Sequence, residues 1–600
     1  MTKTALKALA LAAGITCAAA QASTTLVEDA RVFDGKFAHE HRSVLVVDGV
    51  IANADYHGAA PAGARIVSGK GRTLLPGLID SHVHAYRHFE LPLLFGVTTE
   101  VDMMTSVQVM QQATKAMAAG TNRDKADLFS AGALVTAPGG HGTEYGFPIP
   151  TLANGGDAQA FVDARIAEGS HFIKVVMEDG YGEHKFNSLD RATVKAVIDA
   201  AHRRGKLAVV HISTLANARA ALEAGADGLA HLFPGRSISA EDAESLAQLA
   251  QAKGAFVIPT FTVLESIAGL KPRDVMDEPS FAGLLNKEQR AALEEGYRNV
   301  PVPQLMTAPK MVTAALRKAG VPVLAGTDAG NPGTQYGISL HHELAALVDA
   351  GLTPREALVA ATSGPASAFK LGKRGQVANG YKADLVLVEG DPLTDIGATR
   401  HIVEVWKDGE STAALRDQQR ARVVQEQQAR GTPLALPADG RISLVREGKL
   451  ASPFGVGWMP SEDRMMGGRS SVKLATSESG GGALIAVDAK VEPGFAFPWA
   501  GAGFMPGAQP MQPANLSGAN AIAFRVRGDG QRYQLTMLWQ GASIPRGVPF
   551  EAGSEWIDVT IPFSRFDGID PAALLMIGFN AGPKPGSYHF EIADVRLVRQ

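Results

Sequence analysis

At 600 residues and 62.9 kDa, the chain exceeds what one hydrophobic core organises, and at roughly 100–200 residues per domain it should hold two or three domains. Its 46% apolar and 20% charged residues form an ordinary globular balance, which excludes a disordered chain. The net charge is −4 and no run of like charges occurs, so nucleic acid is not an expected partner.

The first residues read as an export signal. Lys3 and Lys7 precede an apolar stretch from Ala8 to Cys17, and Ala20-Gln21-Ala22 has the small-x-small form that signal peptidases cut. This predicts cleavage after Ala22 and a periplasmic or secreted protein. The apolar stretch is shorter than the roughly 17–25 residues that span a bilayer, and no later segment qualifies, so no transmembrane segment is expected after cleavage. Cys17 is the chain's 1 cysteine, and its removal leaves neither disulfide nor thiol nucleophile.

Next come short hydrophobic runs separated by Gly and Asp turns, over 25–70 and again over 374–410, as in SVLVVDGVI and KADLVLVEG. They predict a small β-sandwich built from both flanks, 23–75 and 374–412. His39 and His41, in HEHRS, read as a solvated polar turn of this unit.

Between the flanks, over 76–373, strand-like runs alternate with Ala-rich helical stretches, the pattern of parallel βαβ units. The clearest strands are 128–136, 171–177, 206–211, 255–261 and 321–328, with weaker ones at 77–84, 98–103 and 228–231. Eight such units predict an α/β fold, a (β/α)8 TIM barrel. In RATVKAVIDAAHRRG, Val194, Val197 and Ile198 form an apolar stripe that ends at a capping Gly205. The roughly sixty residues between the seventh and eighth strands exceed a usual connector and are expected to cover the site.

Chemistry changes near residue 430. Of 16 histidines only His589 lies beyond it, whereas Trp458, Trp499, Trp539 and Trp556, four of 5 tryptophans, do. A polar helical linker over 413–440 ends in Gly431, Pro433 and Pro437, which stop helices. Beyond it, over 441–600, alternating strands and Gly/Pro-rich loops predict a separate all-β sandwich, jelly-roll-like.

The sharpest local signal is PGLIDSHVH on the first barrel strand. His82 and His84 are one residue apart, so in an extended strand they point to the same side and suit one metal. The spacing alone is weak. What strengthens it is that Lys174, His211, His231 and Asp328 also fall at or near the C-terminal ends of predicted strands, the rim where barrel enzymes hold their sites. GGHG (139–142) puts His141 on that rim, and Tyr181 and His184 follow the fourth strand; His141 or Tyr181 would then bind substrate by polarising its carbonyl. His341 and His342 read as structural.

From about residue 25 to 412 the chain resembles the amidohydrolase superfamily, in particular the metal-dependent members related to imidazolonepropionase and Xaa-Pro dipeptidases. The stretches that carry the resemblance are LLPGLIDSHVHAY, FIKVVMEDG, VVHISTLANARAALEAGADGLAHL, VLAGTDAG, and SLHHELAALVDAGL through GYKADLVLVEGDPL. It implies that His82, His84 and Asp328 hold one divalent metal and that His211 and His231 hold a second. Zinc is the expected ion. An ammonium cannot ligate a cation, so the resemblance also implies that Lys174 is a carbamate bridging both. The implied reaction is hydrolysis of a carbon–nitrogen bond, in an amide or dipeptide-like small molecule, by a metal-bridging hydroxide with Asp328 as acid and base. Lactone or phosphate-ester hydrolysis on the same centre, or a non-catalytic binding or assembly role, are the alternatives. A deaminase is disfavoured, since His211 is followed by Ile-Ser-Thr-Leu-Ala-Asn rather than an early glutamate.

The C-terminal part resembles the complex I intermediate-associated protein family, a galactose-binding-like β-sandwich, through SEDRMMGGRSS, FRVRGDGQRYQLTML and EWIDVTIPFSRF, with Asp463 and Met466-Gly467-Gly468 on its motif. A glycan or a protein would be its ligand if Trp499, Trp539 and Trp556 lined a surface; as core residues they bind nothing.

Overall fold

A computed structural model of the protein describes residues 23–599, apart from 146–148, 182–183, 430–431, 467, 480–481, 494–496 and 543. The export signal, its cleavage point and Cys17 lie outside the described residues. Among those described, no helix is long and apolar enough to cross a membrane.

The central unit is a parallel barrel. Its strands are β1 (Leu78–Val83), β2 (Val97–Asp102), β3 (Asp127–Ser130), β4 (Ile173–Met177), β5 (Ala208–Ile212), β6 (Gly228–Ala230) and β7 (Phe256–Ile258). Ladders join β1–β2–β3, with register shifts along β1 at Leu78/Ile79 and Asp80/Val83, and β4–β5–β6–β7. Two less regular seams close the ring. The predicted third strand, 128–136, stops pairing regularly at Ser130, because Gly132 turns with a φ of +65°; Val135 then rejoins, donating from N to Lys174 O at 2.8 Å. The predicted eighth strand, 321–328, pairs through single bonds: Leu324 N to Val257 O at 2.9 Å on one side, Ser81 N to Ala325 O at 2.8 Å on the other.

Local chemistry sets the crossover helices. Those over Val107–Ala119, Ala158–Glu168, Leu215–Ala224 and Ala240–Lys253 each begin on a Ser, Asp or Thr whose side chain accepts a backbone N–H, and each ends on a left-handed glycine. On the helix Arg191–Arg203, Val194, Val197 and Ile198 are fully buried, each worth about 1.5–3 kcal/mol relative to exposure. Gly205, with φ +67°, stands one residue past its C-cap Arg204. The long connection after β7 folds into short helices, among them α1 (Lys287–Glu294), and a helix α2 (Ala413–Ala429) follows the barrel.

Both flanks join, as expected, in one small unit, through a continuous eight-stranded sheet. Strand Thr24–Phe33 pairs with Ala38–Val47 on one edge and with Arg65–Ser68 and Arg72–Pro76 on the other. Register shifts between Val27 and Val32 bend it, and a bent sheet can wrap its own core of Val27, Val44, Leu74, Leu385 and Trp406. His39 and His41 lie within Ala38–Val47, so the expected polar turn is a strand.

The C-terminal unit packs two five-stranded antiparallel sheets face to face, and the alternating segments near 483–491, 521–528, 531–539, 556–563 and 588–598 all lie in them. Phe504, Phe524, Tyr533, Phe579 and Phe590 fill the interior. Asp463 is fully buried with both carboxylate oxygens bonded, to Ser470 N at 2.8 Å and Ser470 Oγ at 2.6 Å, and a Cβ on Gly468 would lie 2.3 Å from its Cγ. That packing gives the motif a structural role. Trp539 is buried, Trp499 Nε1 donates to Ser461 Oγ at 3.1 Å, and the half-buried Trp556 carries the guanidinium groups of Arg525 and Arg527 at 5.3 and 4.9 Å.

Candidate active site

Alternation along β1 aims Asp80 and His82 to one side, with His84 just past the strand end. β4 contributes Lys174 and, just beyond its end, Glu178; β5 supplies His211; His231 directly follows β6; and Asp328 ends the eighth segment. Five of the six residues singled out as ligands therefore stand at or near strand ends, while Lys174, second in β4 and paired with Val209, comes from deeper in the barrel.

Their geometry converges on Asp328. His82 Nε2 and His84 Nε2 lie 3.2 and 3.0 Å from its Oδ1, and one ligand atom from each of the three residues falls within 4.8 Å of the others. Yet neither ring nitrogen of His82, nor Asp328 Oδ1, has a well-formed hydrogen bond. The His231 ring sits between two others, with centroids 4.5 Å from His82 and 4.6 Å from His211, and its Nδ1 is 4.0 Å from Asp328 Oδ2. Lys174 is 2% exposed and its Nζ likewise has no partner. A buried polar group left unpaired costs about 1–3 kcal/mol, more if charged, so this cluster suits a cation that lone pairs can ligate together.

Electrostatics agree. Burial, with Lys174 alongside, lowers His82 to about 3, and burial lowers His211 to about 4. Both rings are neutral at physiological pH, as metal ligands must be. Burial alone would raise Asp328, but His82 and His231 beside it hold its carboxyl well below the usual range. Burial lowers the Lys174 ammonium to about 7.

Outer contacts orient the rings. His84 Nδ1 faces Met104 O at 3.4 Å, and His211 Nε2 faces Glu178 Oε2 at 3.2 Å. Thr260 Oγ1 donates to Pro259 O and so accepts from His231 Nδ1 at 2.8 Å. Each contact fixes a proton on one nitrogen and leaves the other as a lone pair. Below them, Asp80 accepts from Thr327 Oγ1 at 2.7 Å, while Asp102 accepts from Ala85 N at 2.7 Å and Ser130 Oγ at 2.5 Å, tying three strand ends together. His231, Thr260 and Asp328 all have left-handed backbones, with φ of 71°, 56° and 59°. Such conformations are costly for these residues and cluster at functional sites.

His141 reaches the same rim. Its ring centroid is 4.9 Å from that of His211, and its Nδ1 is 2.7 Å from Glu144 Oε1. Tyr181 pairs through its backbone with His184 in a two-residue hairpin, and its side chain lies outside the described set. His341 bonds to Phe95 O and Thr399 Oγ1, and His342 spans Glu265 and Asp274 at 2.7 and 2.6 Å, so both link elements away from the rim. Sequence reasoning missed Glu178, Thr260, Asp102 and Glu144. Glu178 was accessible, since it shares Lys174's parity along the strand, and so was Glu144, three residues after His141; the other two carry no spacing signal.

Comparison with known proteins supplies the context. The amidohydrolase family model matches residues 73–417, and that of complex I intermediate-associated protein 30 matches 451–570. An ochratoxinase from Aspergillus niger is 25% identical over 316 residues, covering 47% of this chain and 59% of the relative, so the match spans about three fifths of that protein. A crystal structure of a Xaa-Pro dipeptidase with bound methionine superposes with a TM-score of 0.51 at 22% identity, covering 65% of this chain and 99% of that one. A putative prolidase from Bifidobacterium longum gives a TM-score of 0.52 at 22% identity, over 67% and 99% of the two chains.

Proposed function

The chain belongs to the amidohydrolase family, and on that premise we propose that it is an exported hydrolase of carbon–nitrogen bonds in small amides, N-acyl amino acids or dipeptides. The observation that carries this reading is the meeting of His82, His84 and Asp328 around one point, with the partnerless Lys174 buried nearby. The names of the relatives, an ochratoxinase and a Xaa-Pro dipeptidase, support the substrate class.

In this reading His82, His84 and Asp328 would hold one divalent ion, and His211 and His231 would hold a second. Lys174, as a carbamate, would be a further ligand. Its neutral amine, favoured by burial, attacks carbon dioxide and loses one proton, giving the anion that an ammonium cannot provide. When bound, divalent ions such as zinc supply a Lewis acid for the scissile carbonyl and lower the pKa of the attacking water.

The chain's own groups do the rest. Asp328 is ionised and takes a proton from the attacking water, then delivers it to the leaving nitrogen as the carbon–nitrogen bond breaks. Burial of the rim excludes bulk water and strengthens each of these contacts. His141, beside His211 and backed by Glu144, donates to the substrate carbonyl oxygen; Tyr181, on the neighbouring hairpin, is the second group for that role.

The test is elemental mass spectrometry of the full chain and of Lys174→Ala, with amine release followed from Xaa-Pro dipeptides and N-acyl amino acids. About two ions per chain, falling in the variant, together with amine release is the expected result. Lactone or phosphate-ester hydrolysis would turn over its own substrates without releasing an amine. Absence of metal after reconstitution, or full activity of Lys174→Ala without bicarbonate or small carboxylates, would overturn the two-metal reading.

A further inference from the structure

Helix α1 stands between the active-site rim and the C-terminal sandwich. On the rim side, Glu288 Oε1 lies 3.6 Å from Arg87 Nη1 and Gln289 Nε2 lies 3.4 Å from His88 Nδ1, on the loop that leaves His84. Gly333 N donates to Ala292 O at 2.8 Å, Tyr297 Oη donates to Asn331 Oδ1 at 2.9 Å, and Asn331 Nδ2 donates to Asp328 O at 3.0 Å. The α1 segment thus touches both loops that carry the convergent ligands.

On its other side the sandwich grips the same segment. Lys287 Nζ pairs with Asp570, whose side chain is largely buried, and Arg546 Nη2 pairs with Glu295 Oε1 at 2.9 Å. Between these two pairs Gly541 comes so close that a Cβ on it would lie 3.2 Å from Glu288 Cα, and its φ of +102° favours glycine. An eight-residue helix cannot hold itself, since isolated helices shorter than about 12–15 residues are marginal in water. Its place depends on what packs against it.

We propose that the C-terminal β-sandwich is a brace in cis for the active-site rim, gripping α1 through Asp570, Gly541 and Arg546 and thereby holding the loops after His84 and Asp328 in place. Lys287, Glu295, Asp570 and Arg546 are positioning residues. This role needs no ligand of the sandwich and no particular substrate of the barrel.

Hydrogen–deuterium exchange of the full chain, read by mass spectrometry, tests the brace without a substrate. Arg546→Gln and Asp570→Asn each remove one charge, and the asparagine keeps an oxygen for Ala572 N, which Asp570 caps. Exchange over residues 286–296 and 331–336 should rise about three- to tenfold in each variant and further in the double variant, while the sandwich strands and the helix 191–203 stay at wild-type rates. Wild-type rates over 286–296 in both single variants and the double variant would overturn the proposal. So would a uniform rise across sandwich and barrel, which would mean lost global stability instead of a released brace.

Discussion

The chain contains two His-x-His pairs, both on or at the end of β-strands, and they differ in every physical respect that matters. His39 Nε2 has Asp34 Oδ2 at 2.8 Å, and His41 Nδ1 has Asp29 Oδ1 at 2.7 Å, so each ring owns a carboxylate; the side chain of His41 is 82% exposed. His82 is wholly buried with no well-formed hydrogen bond at either nitrogen, and its Nε2 faces the same Asp328 oxygen as His84, at 3.2 Å. Spacing sets only the direction in which two rings point. A shortage of partners in a desolvated place is what turns two rings into a candidate centre.

Mutation can break this contrast or sharpen it. Asp328→Asn should lower amine release by about 10²–10⁴-fold in steady-state assays, since it removes the negative charge and the proton carrier. An equal loss in His41→Ala would erase the distinction between the pairs. His342 tests whether burial alone suffices. It is buried but fully partnered, and although burial lowers its pKa, Asp274 and Glu265 raise it to about 10. His342→Phe should cost about 3–5 kcal/mol in denaturant titrations by stranding the Glu265 carboxylate, Asp274 keeping Arg400 Nη2 at 2.9 Å, with metal content unchanged. The stabilisation that His342 gives is complete below its ordinary value of 6.5 and is lost as pH rises towards about 10, so the gap between wild type and variant should narrow over that window.

Smaller effects sharpen the comparison. Thr260→Val and Glu178→Ala each remove the group that orients a ring, and equilibrium dialysis should show metal affinity weakened about 10–100-fold. His41→Ala should change stability by less than about 0.5 kcal/mol and metal content not at all, as measured by thermal unfolding and elemental analysis.

Much of this was legible in the sequence because the relevant signals are periodic. Parallel strands buried on both faces read as apolar runs, and the candidate ligands fall at or near the ends of such runs, except Lys174, which lies within one. The two seams were less legible. Gly132 interrupts 128–136 by its φ of +65°, a conformation that composition does not reveal, and Asp328 leaves the eighth segment in a left-handed turn of its own. Thr260 was invisible because its role depends on the ring of His231, brought to it from another strand, whereas Glu144 stands only three residues after His141 in the same loop. His39 and His41 misled for the opposite reason. Their polar neighbours suggested a turn, but an edge of a sheet open to water also tolerates such a run.

The backbone at His231, Thr260 and Asp328 has a further consequence for how this protein can change. Glycine, or to a lesser degree asparagine, adopts a left-handed φ with less strain than these three residues do. Replacing Asp328 by glycine should therefore ease the fold while deleting the chemistry, so the positions where sequence drift most readily gains thermal robustness are those where it erases activity.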